Sequence, residues 1–242
     1  MATGYKVRNK PRGRLRFGLA LWRMLKDLDN IDDHIEEAGI VELTFNRSRW
    51  GRKLARWDLV AAEAAAENSA VAAAVADKHR MDIIDLEHLK SLPPGTFGHE
   101  FAVVQMARGV DPNLVDPLPG DTDGEWLMAH MYETHDFWHF ICGFGFDLEG
   151  EFGVGGVYMG QQPKNTFFAF MIALLTLENV WKNRDKLPLN IRAFCNGYEI
   201  GRKARPLTGL HWEDLWARDL HEVRKEFGIS PADLPVQMSR AA

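Results

Sequence analysis

The segment from Trp126 to Cys142 constrains the fold most. Its apolar residues, Met128, Met131, Tyr132, Phe137, Trp138 and Ile141, never settle into the alternation of a half-buried strand. They suit a helix of several turns, closed by Gly143 and Gly145. On such a helix His135 and His139, four residues apart, stand on a single face. Other stretches read the same way. Arg14 to Leu28 carries Leu15, Leu19, Trp22 and Leu25 at helical spacing, and Ile31 to Ala38 continues as a shorter helix. Trp57 to Val75 is dominated by alanine, which costs least in a helix and leaves a thin surface. Thr96 is placed to cap a helix running to Arg108, with Gly109 closing it. Asn165 and Thr166 offer caps for an apolar helix, Phe167 to Trp181. Pro188 interrupts before a helix from Leu189 to Arg205, and a last helix spans Trp212 to Gly228. The stretch GFGFDLEGEFGVGG, from Gly143, reads as a glycine-rich connection.

The expected fold class is therefore all-α, with any strand minor. No linker-like tract divides the 242 residues, so one helical domain over residues 14–230 is expected. A basic arm (1–13) precedes it and a loose tail (231–242) follows. With 46% hydrophobic and 26% charged residues, the bulk of the chain is not disordered. The two cysteines, Cys142 and Cys195, lie in apolar surroundings and read as buried thiols. With no secretory signal, a reducing cytoplasm is the expected compartment.

Charge is uneven. Residues 1–60 hold 13 Lys and Arg against 8 Asp and Glu, while the whole chain carries −5. One basic run contains Lys6, Arg8, Lys10, Arg12, Arg14 and Arg16. A second contains Arg47, Arg49, Arg52, Lys53 and Arg56, with Phe45, Trp50 and Trp57 beside it. Cations among large aromatics suit the surface of an anionic membrane, or simply a solvated face. The acidic remainder and the lack of any nucleic-acid-binding signature argue against nucleic acid. The longest apolar run, Phe167 to Leu177, has 11 residues, too few for a spanning helix, which needs about 20.

His135, Asp136 and His139 form an H-D-x-x-H pattern, and eleven residues separate His139 from Glu151. Two imidazoles one helical turn apart can hold one ion, the reason H-E-x-x-H helices bind zinc. Asp136 lies about 100° round the helix, so it reaches the ion at the edge of the site or orients a histidine from behind. Glu151 follows Gly150, where the backbone can fold back over the helix. Two nitrogens and one or two carboxylate oxygens suit Zn²⁺, Fe²⁺ or Mn²⁺.

The stretch YETHDFWHFICGFGFDLEGE resembles the signature of the coenzyme Q (ubiquinone) biosynthesis protein 4 family, with His135, Asp136, His139 and Glu151 matching position by position. LPPGTFGHEFA (92–102) and GRKARPLTGLHWEDLWARDLHEVRKEFGI (201–229) are similar to that family too, so the likeness covers roughly residues 85–230. The resemblance implies a helical fold, a divalent ion, usually zinc, and a role in making ubiquinone. The implied chemistry is removal of the C1 carboxylate of a polyprenylated hydroxybenzoate, coupled to hydroxylation there. A polyprenyl-binding scaffold with a structural metal is the alternative. The resemblance also implies contact with other enzymes of the pathway and peripheral association with the inner (cytoplasmic) membrane; a homodimer is left open. Zinc has no redox chemistry, so hydroxylation would need iron or an outside oxidant.

Candidate acids near the site in sequence are His130, Glu133 and Glu149; the first two point away from the His135 face and the third does better. For the lipid tail, Phe167, Phe168, Phe170, Met171, Leu174 and Leu175 could line a dry groove, although such residues also build ordinary cores. A phosphohydrolase of the HD type is a third reading. It would need further ligands such as His88, His99 and Asp147, and the Gly150-Glu151 match weighs against it.

Overall fold

The computed structural model describes residues 55–113 and 118–231. The basic arm, both basic runs except Arg56 and Trp57, the helices expected before residue 39 and the loose tail after Pro231 lie outside the described residues. Among the described residues the chain is helical, without strands: α1 (Trp57–Glu67), α2 (Ser69–Asp77), α3 (Leu86–Lys90), α4 (Phe97–Arg108), α5 (Asp123–Cys142), α6 (Leu148–Gln161), α7 (Thr166–Lys182), α8 (Leu187–Lys203), a 3₁₀ turn (Trp212–Leu215) and α9 (Leu220–Phe227). No described helix is long and apolar enough to cross a membrane.

Local chemistry sets most boundaries. Thr122 and Glu125 form a capping box that starts α5, and Asp58 of α1 accepts hydrogen bonds from Thr122 Oγ1 (3.0 Å) and the Gly124 amide (3.1 Å). Thr96 starts α4, and the Asn165 side chain accepts from the amides of Phe167 and Phe168 to start α7. The alanine-rich stretch is two helices rather than one. Asn68 adopts an extended backbone and its side chain accepts from the Ala70 and Val71 amides, capping α2 while ending α1. The expected last helix is likewise divided into the 3₁₀ turn and α9.

The glycine-rich connection is corrected more substantially: beyond a short turn, it is helix α6. Glycine costs about 1 kcal/mol per position in a helix interior, so a packing gain must offset it. A Cβ added at Gly197 of α8 would lie 1.9 Å from the Gly153 carbonyl oxygen, and one at Gly156 would lie 2.2 Å from that of Phe194. The two backbones are in van der Waals contact, and only glycine permits it.

The core lies between α4, α5 and the C-terminal turn. Phe101 and Phe137 ring centroids are 4.7 Å apart, and Phe137 and Trp212 5.2 Å. Each such ring, fully buried, stabilises by about 1.5–3 kcal/mol. Arg224 of α9 donates to the carbonyls of Ile141 (2.9 Å) and Phe140 (2.8 Å) in the last turn of α5. It thereby supplies both donors and positive charge where a helix end needs them. Cys142, beside it, is buried as expected, and burial pushes its thiol up to about 12 against the pull of Arg224. Cys195 departs from expectation: it is exposed, because it lies on α8 opposite the face that meets α6.

His130 of α5 is buried, stacks on Trp126 at 5.1 Å, and accepts a hydrogen bond from the Gly209 amide (2.8 Å) at Nε2. Burial first, then the charges of His79, Arg80 and His211, push it down from 6.5 to about 3. Between those values the unfolded chain binds a proton that the folded chain refuses, so stability is full above about pH 6.5 and falls as pH drops toward 3. At pH 5 the expected loss from this group is about 2 kcal/mol. Urea melts at pH 7.5 and 5 check it: His130→Gln, which keeps an acceptor for Gly209, is expected to flatten that part of the pH dependence.

Candidate metal centre

The elements around α5 bring three of the four expected ligands to one point. His135 and His139 project from α5, with Nε2 atoms 3.0 Å apart. Glu151 enters from the first turn of α6, whose start is fixed by Asp147 accepting from the Gly150 amide (3.0 Å). Its Oε1 lies 3.5 Å from His135 Nε2 and 3.3 Å from His139 Nε2. A Cβ on Gly150 would sit 1.7 Å from the Gly145 carbonyl oxygen, so the turn that delivers Glu151 closes tightly only with glycine there.

Both rings are held from behind. His139 Nδ1 lies 2.6 Å from the Gly145 carbonyl, an acceptor only, so Nδ1 carries the proton and Nε2 presents a lone pair. His135 Nδ1 lies 2.9 Å from the Tyr158 hydroxyl. Three electron-rich atoms this close require a shared cation, either a proton or a metal ion. Ligand histidines oriented through the far nitrogen are the usual second layer of a metal site, and two imidazoles with one carboxylate suit a divalent transition ion with a coordination position left open. The donor set fits such an ion. Burial pushes the Glu151 carboxyl up, but when the two imidazoles share a proton their charge and hydrogen bonds outweigh it and hold it well below the usual carboxylate range. His139 is fully buried, while the His135 and Glu151 side chains keep 34% and 23% exposure. The site therefore opens on one side.

Asp136 does not converge with them. Its carboxylate turns to Gln105 Nε2 (2.7 Å) and Arg108 (3.2 Å) on α4, as its place about 100° round the helix dictates. Arg108 lies over the Phe146 ring at 3.5 Å, and Phe146 stacks on His139 at 4.8 Å. Asp136 thus bears on the site through Arg108 and Phe146.

The nearby acids face elsewhere. Glu133 pairs with Arg80, and His130 is the buried core histidine. Glu149 is raised by burial and by Asp147, with Arg192 of α8 opposing. His99 Nδ1 contacts the Lys90 and Leu92 carbonyls, Asp147 caps α6, and among the described residues neither they nor His88 joins the cluster. That removes the geometric basis of the phosphohydrolase reading.

The lipid-groove residues separate. Phe167 is core: only 2% exposed, it packs on Trp57 at 5.4 Å. Phe168 stacks on Tyr158 at 4.2 Å, next to the site. Met171 packs partly against the core, Phe170 and Leu175 are half-buried, and Leu174 is exposed. Sequence reasoning passed over Tyr158, Phe146, Gln105 and Arg108. Tyr158 falls seven residues after Glu151, on the same face of a helix, a signal hidden while that segment read as a connection.

The chain is similar to several known proteins. A Vanderwaltozyma polyspora protein, "Ubiquinone biosynthesis protein COQ4, mitochondrial", is 28% identical over 158 residues, 63% of this chain and 44% of its own. The Ajellomyces dermatitidis protein of the same name is 30% identical over 159 residues, 62% of this chain and 53% of its own. The chain thus spans about half the length of these relatives. A Nostoc punctiforme crystal structure, provisionally named a ubiquinone biosynthesis protein, superposes with a TM-score of 0.69 over 89% of this chain and 98% of that one; at 20% identity it speaks to the fold. Residues 68–233 match the family described as Coenzyme Q (ubiquinone) biosynthesis protein Coq4, to which this chain belongs.

Proposed function

We propose that the chain acts in ubiquinone biosynthesis, removing the C1 carboxylate of a polyprenylated hydroxybenzoate at a divalent-metal site held by His135, His139 and Glu151. The observation that carries this reading is the convergence of the three ligand atoms, within 3.0–3.5 Å of one another, at a site open on one side. A divalent ion bound there, zinc or iron in preference to manganese, supplies Lewis acidity to a substrate oxygen. The protein supplies orientation: Gly145 and Tyr158 fix the two rings, and Arg108 and Phe146 brace His139. In decarboxylation the electrons of the bond to the carboxylate pass to the ring carbon, which takes up one proton as CO₂ departs. The partly exposed edge at His135 and Glu151 gives solvent access for that proton. Hydroxylation at the same carbon is an oxidation: it needs an oxidant such as dioxygen, with a redox-active ion such as iron or another enzyme to activate it, because zinc has no redox chemistry.

A second reading is favoured by a different surface. Along α7, Leu177 (68% exposed), Val180 and Trp181 (86%) face outward. An apolar patch of this kind suits polyprenyl lipid, the membrane surface or a partner enzyme of the pathway. Together with the basic residues before position 60, it supports peripheral membrane association. Here the protein would present lipid and the metal would be structural. One experiment separates the two: metal-loaded protein incubated with prenylated 4-hydroxybenzoate, followed by mass spectrometry. Product lacking CO₂ is expected; binding without conversion, with and without oxidant, would overturn the enzyme in favour of the scaffold.

A further inference from the structure

A second group of ligand-type side chains lies at the end of α2, where it meets the 3₁₀ turn. Asp77, His79 and His211 each offer one ligand atom, all within 4.8 Å of one another. The His79 and His211 rings stack at 4.0 Å, 17° from parallel. His211 Nε2 is 3.1 Å from Asp77 Oδ2, and His79 Nε2 is 2.9 Å from Glu213 Oε1. Some point lies within about 2.8 Å of all three atoms, against bonds of about 2.0–2.2 Å for zinc to nitrogen or carboxylate oxygen. Binding draws the three atoms inward and turns the stacked rings so that both lone pairs meet the ion.

The segments that carry these residues are anchored from the core side. The Trp126 indole donates to the His79 carbonyl at 2.8 Å, and His130, stacked on Trp126, holds the Gly209 amide. Between Asp77 and His79, Lys78 adopts φ 52°, ψ 36°, a left-handed backbone unusual for a side-chain-bearing residue, and so turns the chain back toward His211. A second observation points to a ligand: beside the cluster, Glu213 Oε2 is buried without a hydrogen-bond partner.

We propose that Asp77, His79 and His211 form a second divalent-metal site of the transition-metal class, with Glu213 orienting His79. The ion replaces the proton that otherwise joins His211 to Asp77, while the proton between His79 Nε2 and Glu213 stays in place and leaves His79 to bind through its other nitrogen. It clamps the end of α2 to the C-terminal turn, separately from His135, His139 and Glu151. Asp77 and His211 keep 56% and 45% side-chain exposure, so the site exchanges with solvent and binds more weakly than the buried one.

Zinc alone is the probe. The full chain, stripped of metal, is titrated against a chromophoric competitor, with circular dichroism confirming the fold. Two equivalents are expected for the wild type and one for His211→Asn. Glu151→Gln is expected to keep the weaker equivalent, and the double variant neither. The affinity of the weaker site is expected to fall at least 100-fold in His211→Asn, beyond the roughly 10–100-fold loss for residues that only orient ligands. Asp77→Asn, at an exposed helix end, repeats the test if His211→Asn misfolds. Binding of one equivalent or none by the wild type, or a weaker equivalent that survives both substitutions, would overturn the proposal.

Discussion

Glu151→Gln is expected to lower affinity for the metal at the α5–α6 site at least 100-fold and to stop product formation, while α6 keeps its helix. The amide is nearly isosteric but neutral, and so removes the charge that draws a divalent ion to two neutral imidazoles. Residues that only orient ligands typically cost 10–100-fold, so loss of a ligand itself should exceed that range. Asp136→Asn is the contrasting case. Its carboxylate binds Gln105 and Arg108, so its effect is expected inside the 10–100-fold range. Metal analysis after dialysis against a graded chelator, beside mass spectrometry of the product, reads both variants. Equal losses would place Asp136 among the ligands after all.

The second large effect is expected from a residue that carries no side chain at all. Gly197→Ala adds one methyl, whose carbon would fall 1.9 Å from the Gly153 carbonyl oxygen. The obstacle is backbone, and no side chain can rotate away to make room. The helices must separate by more than an ångström or bend, and overpacking of this kind costs about 1–3 kcal/mol, occasionally more. A loss of about 3 kcal/mol in urea melts is expected, against the small gain alanine brings to an unobstructed helix. Because α6 carries Glu151, weaker metal binding is expected to accompany the loss of stability. An unchanged melt would mean that α6 and α8 do not approach so closely.

How much of the fold and site is legible in the sequence differs from residue to residue. Caps are readable because they are local: Thr96 and Asn165 each serve amides two or three residues away. His135 and His139 are readable for the same reason, since helical spacing alone puts them together. Asn68 escapes notice inside a run of alanines, though an Asn-Ser pair at mid-run is itself a capping signal. The helix at α6 is hidden because local propensity and tertiary packing pull in opposite directions. Glycine disfavours a helix, and only the approach of α8, more than 30 residues later in the chain, reverses that preference. Asp136 belongs to the resemblance as a fourth member of the motif. Its partners on α4 lie outside any local window, so geometry alone could assign it to Arg108. Phe167 shows the same limit: a large ring on an apolar helix serves a groove or a core equally well until Trp57 is seen beside it.

The pair of hydrogen bonds from Arg224 to the end of α5 bears on the order of events during synthesis. Both histidines and Glu151 have left the ribosome long before α9 does. Until Arg224 arrives, the Phe140 and Ile141 carbonyls lack their donors, and the aromatic cluster lacks Trp212 and Trp216. The helix that presents the two imidazoles is thus finished by a residue more than 80 positions downstream. A nascent chain thus holds the three candidate ligands before it holds the frame that aims them.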